Sequence, residues 1–224
     1  MPDNLMGEDK STASKTQAGY VRWLIGEAPK FKSFLELGPD VGLVTSEVVR
    51  RTIPQRVSLV EPNLAIHEEL RSNTGSVEDI EIVQYLAEVK NTSFDLVIGI
   101  HVFDHLLDPL ADIRNLGSMS RADSYLGIVV HNEGSLLRRL IGVRWPPFCL
   151  QHPQLYNPKS LRAMLHAGGW ELERVGKSTN YFHLNHIAQM ALGVLGLPKS
   201  LAKLIPRVET PINLGNMIAL AKKK

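Results

Sequence analysis

The stretch from Phe31 to Asn63, FKSFLELGPDVGLVTSEVVRRTIPQRVSLVEPN, constrains the fold most. An apolar run at Phe34-Leu35 ends in Glu36. A glycine-bearing turn, Gly38-Pro39-Asp40-Val41-Gly42, leads into a helical pattern, and a second apolar run ends in Glu61. The order is strand, turn, helix, strand. In an open parallel sheet the ligand crevice lies beyond the carboxyl ends of the strands, so both acids fall there. A turn without bulky side chains lets backbone N–H groups and a helix N-terminus approach a polar ligand. A carboxylate at the next strand end can accept two hydrogen bonds from a ribose diol. The stretch predicts a nucleoside site.

Glycine spacing separates the cofactor classes that use this geometry. A dinucleotide site wants G-x-G-x-x-G so that a pyrophosphate can sit on the helix N-terminus. Here Gly38 and Gly42 flank Asp40, and an anionic side chain would repel a pyrophosphate. A cationic, phosphate-free ligand such as S-adenosyl-L-methionine suits the turn better. The text E-L-G-P-D-V-G resembles the first motif of class I S-adenosylmethionine-dependent methyltransferases, E/D-x-G-x-G-x-G, with Asp40 where glycine is commoner.

Further along, Phe94 to Ile100 is an apolar run fit for a central strand buried on both faces. The resemblance extends through Ala87-Glu88, Ser93-Phe94-Asp95 and His101-Val102-Phe103-Asp104-His105-Leu106-Leu107-Asp108-Pro109. These residues match the family's acid-Ala, SFD and H-V-x-E-H-x-x-D-P patterns, with Leu86 for the first acid and Asp104 for the usual Glu. It implies a Rossmann-like α/β fold, a seven-stranded, mostly parallel sheet with helices on both faces whose last strand inserts antiparallel. It also implies that Glu36, Gly38, Pro39, Asp40 and Gly42 hold the methionine side of the cofactor. Glu61 and Pro62 would hold the ribose, Leu86, Ala87 and Glu88 the adenine edge, and His101 would lie near the sulfonium.

Local signals place the remaining elements. Tyr20, Val21, Trp23 and Leu24 recur at helical spacing, after a polar stretch, residues 1–15, expected to be a flexible tail. Residues 16–224 are then expected to form one domain. Asn63, Asp108 and Asn157 read as helix N-caps, the last two followed by proline. Ile80–Tyr85, Tyr125–Val130, Trp170–Val175 and Asn216–Ala221 read as strands. Gly168-Gly169 reads as a left-handed helix end. Two insertions interrupt this plan. Residues 131–157 form a lid, and residues 181–214 a cap containing the apolar run Ile187–Leu197, most simply a buried helix and too short to span a membrane. Both resemble a bacterial branch of the family that tailors natural products or glycoconjugates.

Among the eight histidines, His131 and His152 are the candidate general bases, with His101 third, because His131 follows a strand end and His152 lies in the lid. His105 is expected to turn inward as a structural residue. His101 and His105 have a zinc-compatible spacing, but no third ligand follows, so no metal is expected. The expected function is methyl transfer from S-adenosyl-L-methionine to a small-molecule acceptor, most simply on oxygen. The alternatives are N-methylation or a non-catalytic cofactor-binding regulator. A net charge of +2 gives no basis for nucleic-acid binding. The lone Cys149 and the lack of a secretory start point to the cytoplasm. A homodimer is compatible with all of this.

Overall fold

The computed structural model of the protein describes residues 10–26, 31–75 and 77–224. In chain order its elements are α1 (Lys10–Ile25), β1 (Ser33–Leu37), α2 (Leu43–Thr52), β2 (Arg56–Val60), α3 (His67–Asn73), β3 (Asp79–Val83), β4 (Phe94–Ile100), α4 (Pro109–Ser118), β5 (Ser120–His131), α5 (Leu136–Ile141), α6 (Pro158–Ala167), β6 (Trp170–Lys177), β7 (Asn180–His183), α7 (Leu184–Val194), β8 (Glu209–Ile212) and β9 (Asn216–Lys223). Seven strands make one sheet in the order β3-β2-β1-β4-β5-β9-β6, and β7 pairs with β8 in a separate ribbon. β9 runs antiparallel between β5 and β6, and the other neighbours are parallel. This is the Rossmann-like sheet expected from the sequence.

The central strands are apolar on both faces because helices cover both. Alternation sends Leu35 and Val97 to one face, against Ile113, Leu116 and Trp170. Phe34, Leu96 and Ile98 go to the other, against α1 and α2. The three expected caps form: Asn63 accepts from the Ala65 N–H, Asp108 from Ala111, and Asn157 from Lys159 and Ser160. At the amino edge, Asp95 Oδ2 accepts the N–H groups of Lys32 (2.8 Å) and Ser33 (2.9 Å), tying β1 to β4. The SFD text is therefore structural here, at the edge away from the ligand crevice.

The structure departs from the sequence reading at several points. Residues 1–9 of the expected tail lie outside the described residues, but α1 begins at Lys10, so residues 10–15 are helical. Lys15 and the adjoining Thr16 have distant partners: the Tyr181 N–H donates to Thr16 Oγ1 (2.8 Å) and Lys15 pairs with Glu209 (2.7 Å). β5 starts at Ser120 rather than Tyr125. Within the cap, the helix runs Leu184–Val194, and none of its residues is fully buried, contrary to the buried helix expected; the β7/β8 ribbon beneath it was not foreseen. Only Gly169 is left-handed (φ 87°), whereas Gly168 has φ −90°. Gly168 is needed for space, since a Cβ there would lie 2.2 Å from Ile113 Cγ2.

Gly168→Ala should therefore separate α6 from α4 and destabilise the fold by ~1–3 kcal/mol through overpacking. Urea denaturation checks this, and an unchanged midpoint would contradict the close approach.

Candidate active site

The carboxyl ends of β1, β2 and β3 share one edge of the sheet, and the strand order reverses between β1 and β4, where open α/β sheets bind ligands. The turn after β1 is shaped for close approach. Gly38 has φ 62°, and a Cβ there would stand 2.7 Å from Val102 Cγ2. Pro39 is buried and its carbonyl accepts the Gly42 N–H (2.8 Å), closing the turn from which α2 starts. Asp40 is exposed and left-handed (φ 50°), a conformation Asp tolerates better than most residues. Glu61 is buried; its Oε2 accepts the Asp40 N–H (3.2 Å) and its Oε1 the Asn63 N–H (2.8 Å). It is thus a built part of the crevice that locks the turn to the end of β2, with Pro62 exposed beside it.

Leu86, Ala87 and Glu88 form one 3-10 turn beyond β3. Glu88 Oε2 accepts the N–H groups of Gln84 (3.0 Å) and Tyr85 (3.4 Å). Its carboxylate is engaged with its own turn, which leaves backbone groups and Leu86 for a base edge. Glu36 is almost wholly buried and accepts the Thr45 hydroxyl at 2.5 Å. Burial, partly offset by that bond and reinforced by the Glu61 charge, pushes its carboxyl up from 4.5 to about 8.

The other half of the site is built by histidines. His101 follows β4 with φ 54°, and His131 ends β5. Between them Asp104, with no exposed surface, accepts His131 Nδ1–H at 3.0 Å and lies 3.3 Å from the His131 backbone N–H through each oxygen. His101 Nδ1 stands 3.8 Å from the same carboxylate, beyond hydrogen-bond reach. Ring centroids step from His101 to His131 (4.9 Å), on to His152 (4.7 Å) and on to His105 (4.6 Å). A row of four imidazoles thus runs from the end of β4 into the lid. His105 is exposed, not inward, and bonds the Gln151 carbonyl through Nδ1 (2.7 Å). His152 Nδ1 faces the Pro147 carbonyl (2.9 Å) and Cys149 Sγ (3.3 Å).

Burial would raise the Asp104 carboxyl, but its histidine neighbours outweigh it and hold the group below the usual carboxylate range. Burial holds His101 and His152 below the ordinary imidazole value. One ligand atom each from His101, Asp104 and His131 lie within 4.8 Å of one another. The Asp104–His131 hydrogen bond accounts for the tightest of these approaches.

Residues 14–175 match the family described as a methyltransferase domain. The chain belongs to that family. No curated protein sequence matches it. Among solved structures it is similar to the magnesium protoporphyrin IX methyltransferase of Synechocystis with bound S-adenosylhomocysteine, at 14% identity and TM-score 0.62, over 96% of this chain and 85% of that one. It is similar to the YcgJ protein of Bacillus subtilis at 12% identity and TM-score 0.63, over 94% and 98%. It also matches mitomycin 7-O-methyltransferase at 15% identity and TM-score 0.64, over 95% of this chain but only 54% of the longer one. These likenesses are of fold.

Within this methyltransferase domain the structure brings all three candidate bases together and adds Asp104, to which the sequence reading gave no role. The signal was present as the acid of H-V-x-D-H. Asn216 was also missed: it pairs in register with His131, and its Nδ2 lies 3.5 Å from His101 Nε2.

Two outcomes follow. Because the folded value of Glu36 lies above 4.5, folding favours its protonated form. That stabilisation is complete below about 4.5 and is lost as pH rises to about 8. Stability should fall across this window by a few kcal/mol, ~5 at most, and Glu36→Gln should flatten the slope; thermal melts against pH check this. Glu61→Gln should loosen the turn and remove charged hydrogen bonds worth ~1.5–3 kcal/mol, raising the dissociation constant for S-adenosylhomocysteine at least ~tenfold. Calorimetric titration measures it.

Proposed function

We propose that the protein is an S-adenosyl-L-methionine-dependent methyltransferase that methylates a hydroxyl of a small molecule, in natural-product or glycoconjugate tailoring in the cytoplasm. The observation that carries the reading is the buried Asp104 carboxylate bonded to His131 Nδ1 beside the crevice. The residues at the turn fit the cofactor. Gly38 carries the positive φ of the turn and packs against Val102, and Glu61 sits at the strand end where a ribose diol is bound in such folds. The Synechocystis neighbour with bound S-adenosylhomocysteine and the mitomycin 7-O-methyltransferase support the same reading.

The cofactor supplies an electrophilic methyl group on a positively charged sulfur. The protein must align the acceptor with it and remove a proton from the hydroxyl as the oxygen–carbon bond forms. Asp104 accepts the Nδ1–H of His131 and so fixes the tautomer whose Nε2 carries a free lone pair. That lone pair takes the hydroxyl proton, and the imidazolium formed is stabilised by the carboxylate it already touches. His101 is the positioning neighbour on the cofactor side. His152 is secondary, because its Nδ1 is engaged with the lid.

A cavity of about 620 Å³ lies between the carboxyl ends of β5 and β6, lined by none of the histidines or Asp104 but reaching their neighbours Asn132 and Asn216. Leu136, Leu137 and Leu140 of the lid helix and Met217 of β9 give it apolar walls, and Asn132 and Asn216 give it polar points near His131 and His101. It suits a mainly apolar acceptor with a few polar groups.

Titration with S-adenosylhomocysteine should give binding, and none at millimolar ligand would end the proposal. His131→Gln and Asp104→Asn should each lower turnover on a hydroxyl acceptor by ~100-fold or more while leaving cofactor affinity unchanged. Near-native turnover in His131→Gln would remove the base assignment. Methylation of an amine that survives both changes would indicate N-transfer, for which the acceptor already carries a lone pair.

A further inference from the structure

Apart from Asn213, which lines the cavity, the cap between β6 and β9 takes no part in the chemistry above, and its composition is unlike that of the rest of the chain. From Leu184 to Val208 there is no Asp or Glu and no Phe, Tyr or Trp. The helix α7, LNHIAQMALGV, has no charged residue and no fully buried one. The short helical segment Lys199–Leu204 that follows lies against it, anchored by Ala202, which is fully buried. Around that anchor the apolar side chains point outward. Leu195, Leu197 and Leu201 are about half exposed or more, and Leu204 is 90% exposed. Leu201 and Leu204 stand three apart on a 3-10 helix and so share one face of the segment, an apolar face of the kind that marks an interaction surface.

The charges between these leucines decide the occupant. Lys199 and Lys203 are both exposed, and the stem of Lys199 runs across Gly193 of α7. Protein interfaces are enriched in aromatic residues, of which this stretch has none, and depleted of Lys, of which it has two beside the exposed Arg207. Leucine with lysine, and without carboxylates, is instead the composition of segments that lie in a bilayer interface, where the leucines enter the headgroup boundary and the ammonium groups meet lipid phosphates. No helix among the described residues is long and apolar enough to cross a membrane, so the contact is peripheral.

We propose that this cap docks the protein on the surface of an anionic phospholipid bilayer through Leu195, Leu197, Leu201 and Leu204, with Lys199 and Lys203 at headgroup level. β6 runs parallel to β5 across the intervening β9, so the cap leaves the same edge of the sheet as His131. Docking would bring that edge to lipid, where an acceptor with an apolar tail resides. The inference stands on the cap alone and does not depend on the methyl-transfer reading.

The test is co-sedimentation of the full chain with vesicles of phosphatidylcholine alone or of phosphatidylcholine with phosphatidylglycerol. Binding should be at least ~tenfold stronger to the anionic vesicles and should weaken as salt is raised. Leu197→Glu/Leu204→Glu and Lys199→Glu/Lys203→Glu should each lower it at least ~tenfold, with unchanged thermal melting because all four positions are exposed. Absence of binding, or binding that ignores lipid charge or both variants, overturns the proposal. A dimer in sedimentation equilibrium that the leucine variant dissolves, with no vesicle binding, assigns the surface to a second copy of the chain and overturns it as well.

Discussion

A carboxylate with no exposed surface is the constraint on which the site depends. Removing Asp104 from water costs several kcal/mol unless hydrogen bonds replace the lost solvent. His131 supplies that replacement through both its ring and its backbone N–H. The backbone around Asp104 is held as firmly. The Phe103 carbonyl accepts the Tyr156 hydroxyl (3.0 Å), and the Asp104 carbonyl accepts the Gln154 N–H (3.2 Å). The Phe103 ring lies on Gly99 of β4, where a Cβ would meet it at 2.7 Å. One turn therefore joins the end of β4, the end of β5 and the return of the lid. Because its anion is buried, it holds His131 in a single orientation.

Much of the fold was legible because its signals are local. A cap-plus-proline pair such as Asp108-Pro109 acts through N–H groups two or three residues away, and the runs at Phe34-Leu35 and Phe94–Ile100 record burial on both faces directly. The order of strands and the antiparallel β9 came from resemblance, since periodicity does not encode neighbours. What stayed hidden depends on partners distant in sequence. Residues 10–15 look like a soluble tail until Thr16 and Lys15 meet Tyr181 and Glu209 about 165 and 194 residues away. Gly168 reads as a helix end until Ile113 is seen against it.

The candidate site divides along the same line. The Glu36–Gly42 turn and Glu61 could be put forward from sequence because strand ends and glycines announce a crevice, and the structure places them at one edge of the sheet. Which histidine to propose as the base could not be read in the same way, because that choice depends on which ring a buried acid touches. His101, His131 and His152 are all in the row, and sequence spacing alone does not rank them. Asp104 ranks them, with a hydrogen bond to one ring and a 3.8 Å gap to another. The cap was misread for a related reason. An uncharged helix implies cover, but nothing in its sequence says how much of that cover the rest of the chain supplies, and none of its residues is fully buried.

Glu36 and Asp104 show how partners, rather than burial, set the charge of the site. Glu36 lies near the end of β1 and Asp104 in the turn after β4, and both are out of solvent. Beside Glu36 stand one hydroxyl and another carboxylate, so burial prevails and its proton is retained up to about 8. Beside Asp104 stand imidazoles, which overcome burial and keep it ionised. The crevice thus has a carboxyl able to remain neutral beside the turn after β1 and an ionised carboxylate among the histidines. One anion can balance one imidazolium. Burial disfavours charge on His101 and His152, and closely spaced cationic rings would repel one another. The ring in hydrogen-bond contact with Asp104 is His131, so in the mechanism proposed above a proton taken from a hydroxyl has one place in the row where its charge is compensated.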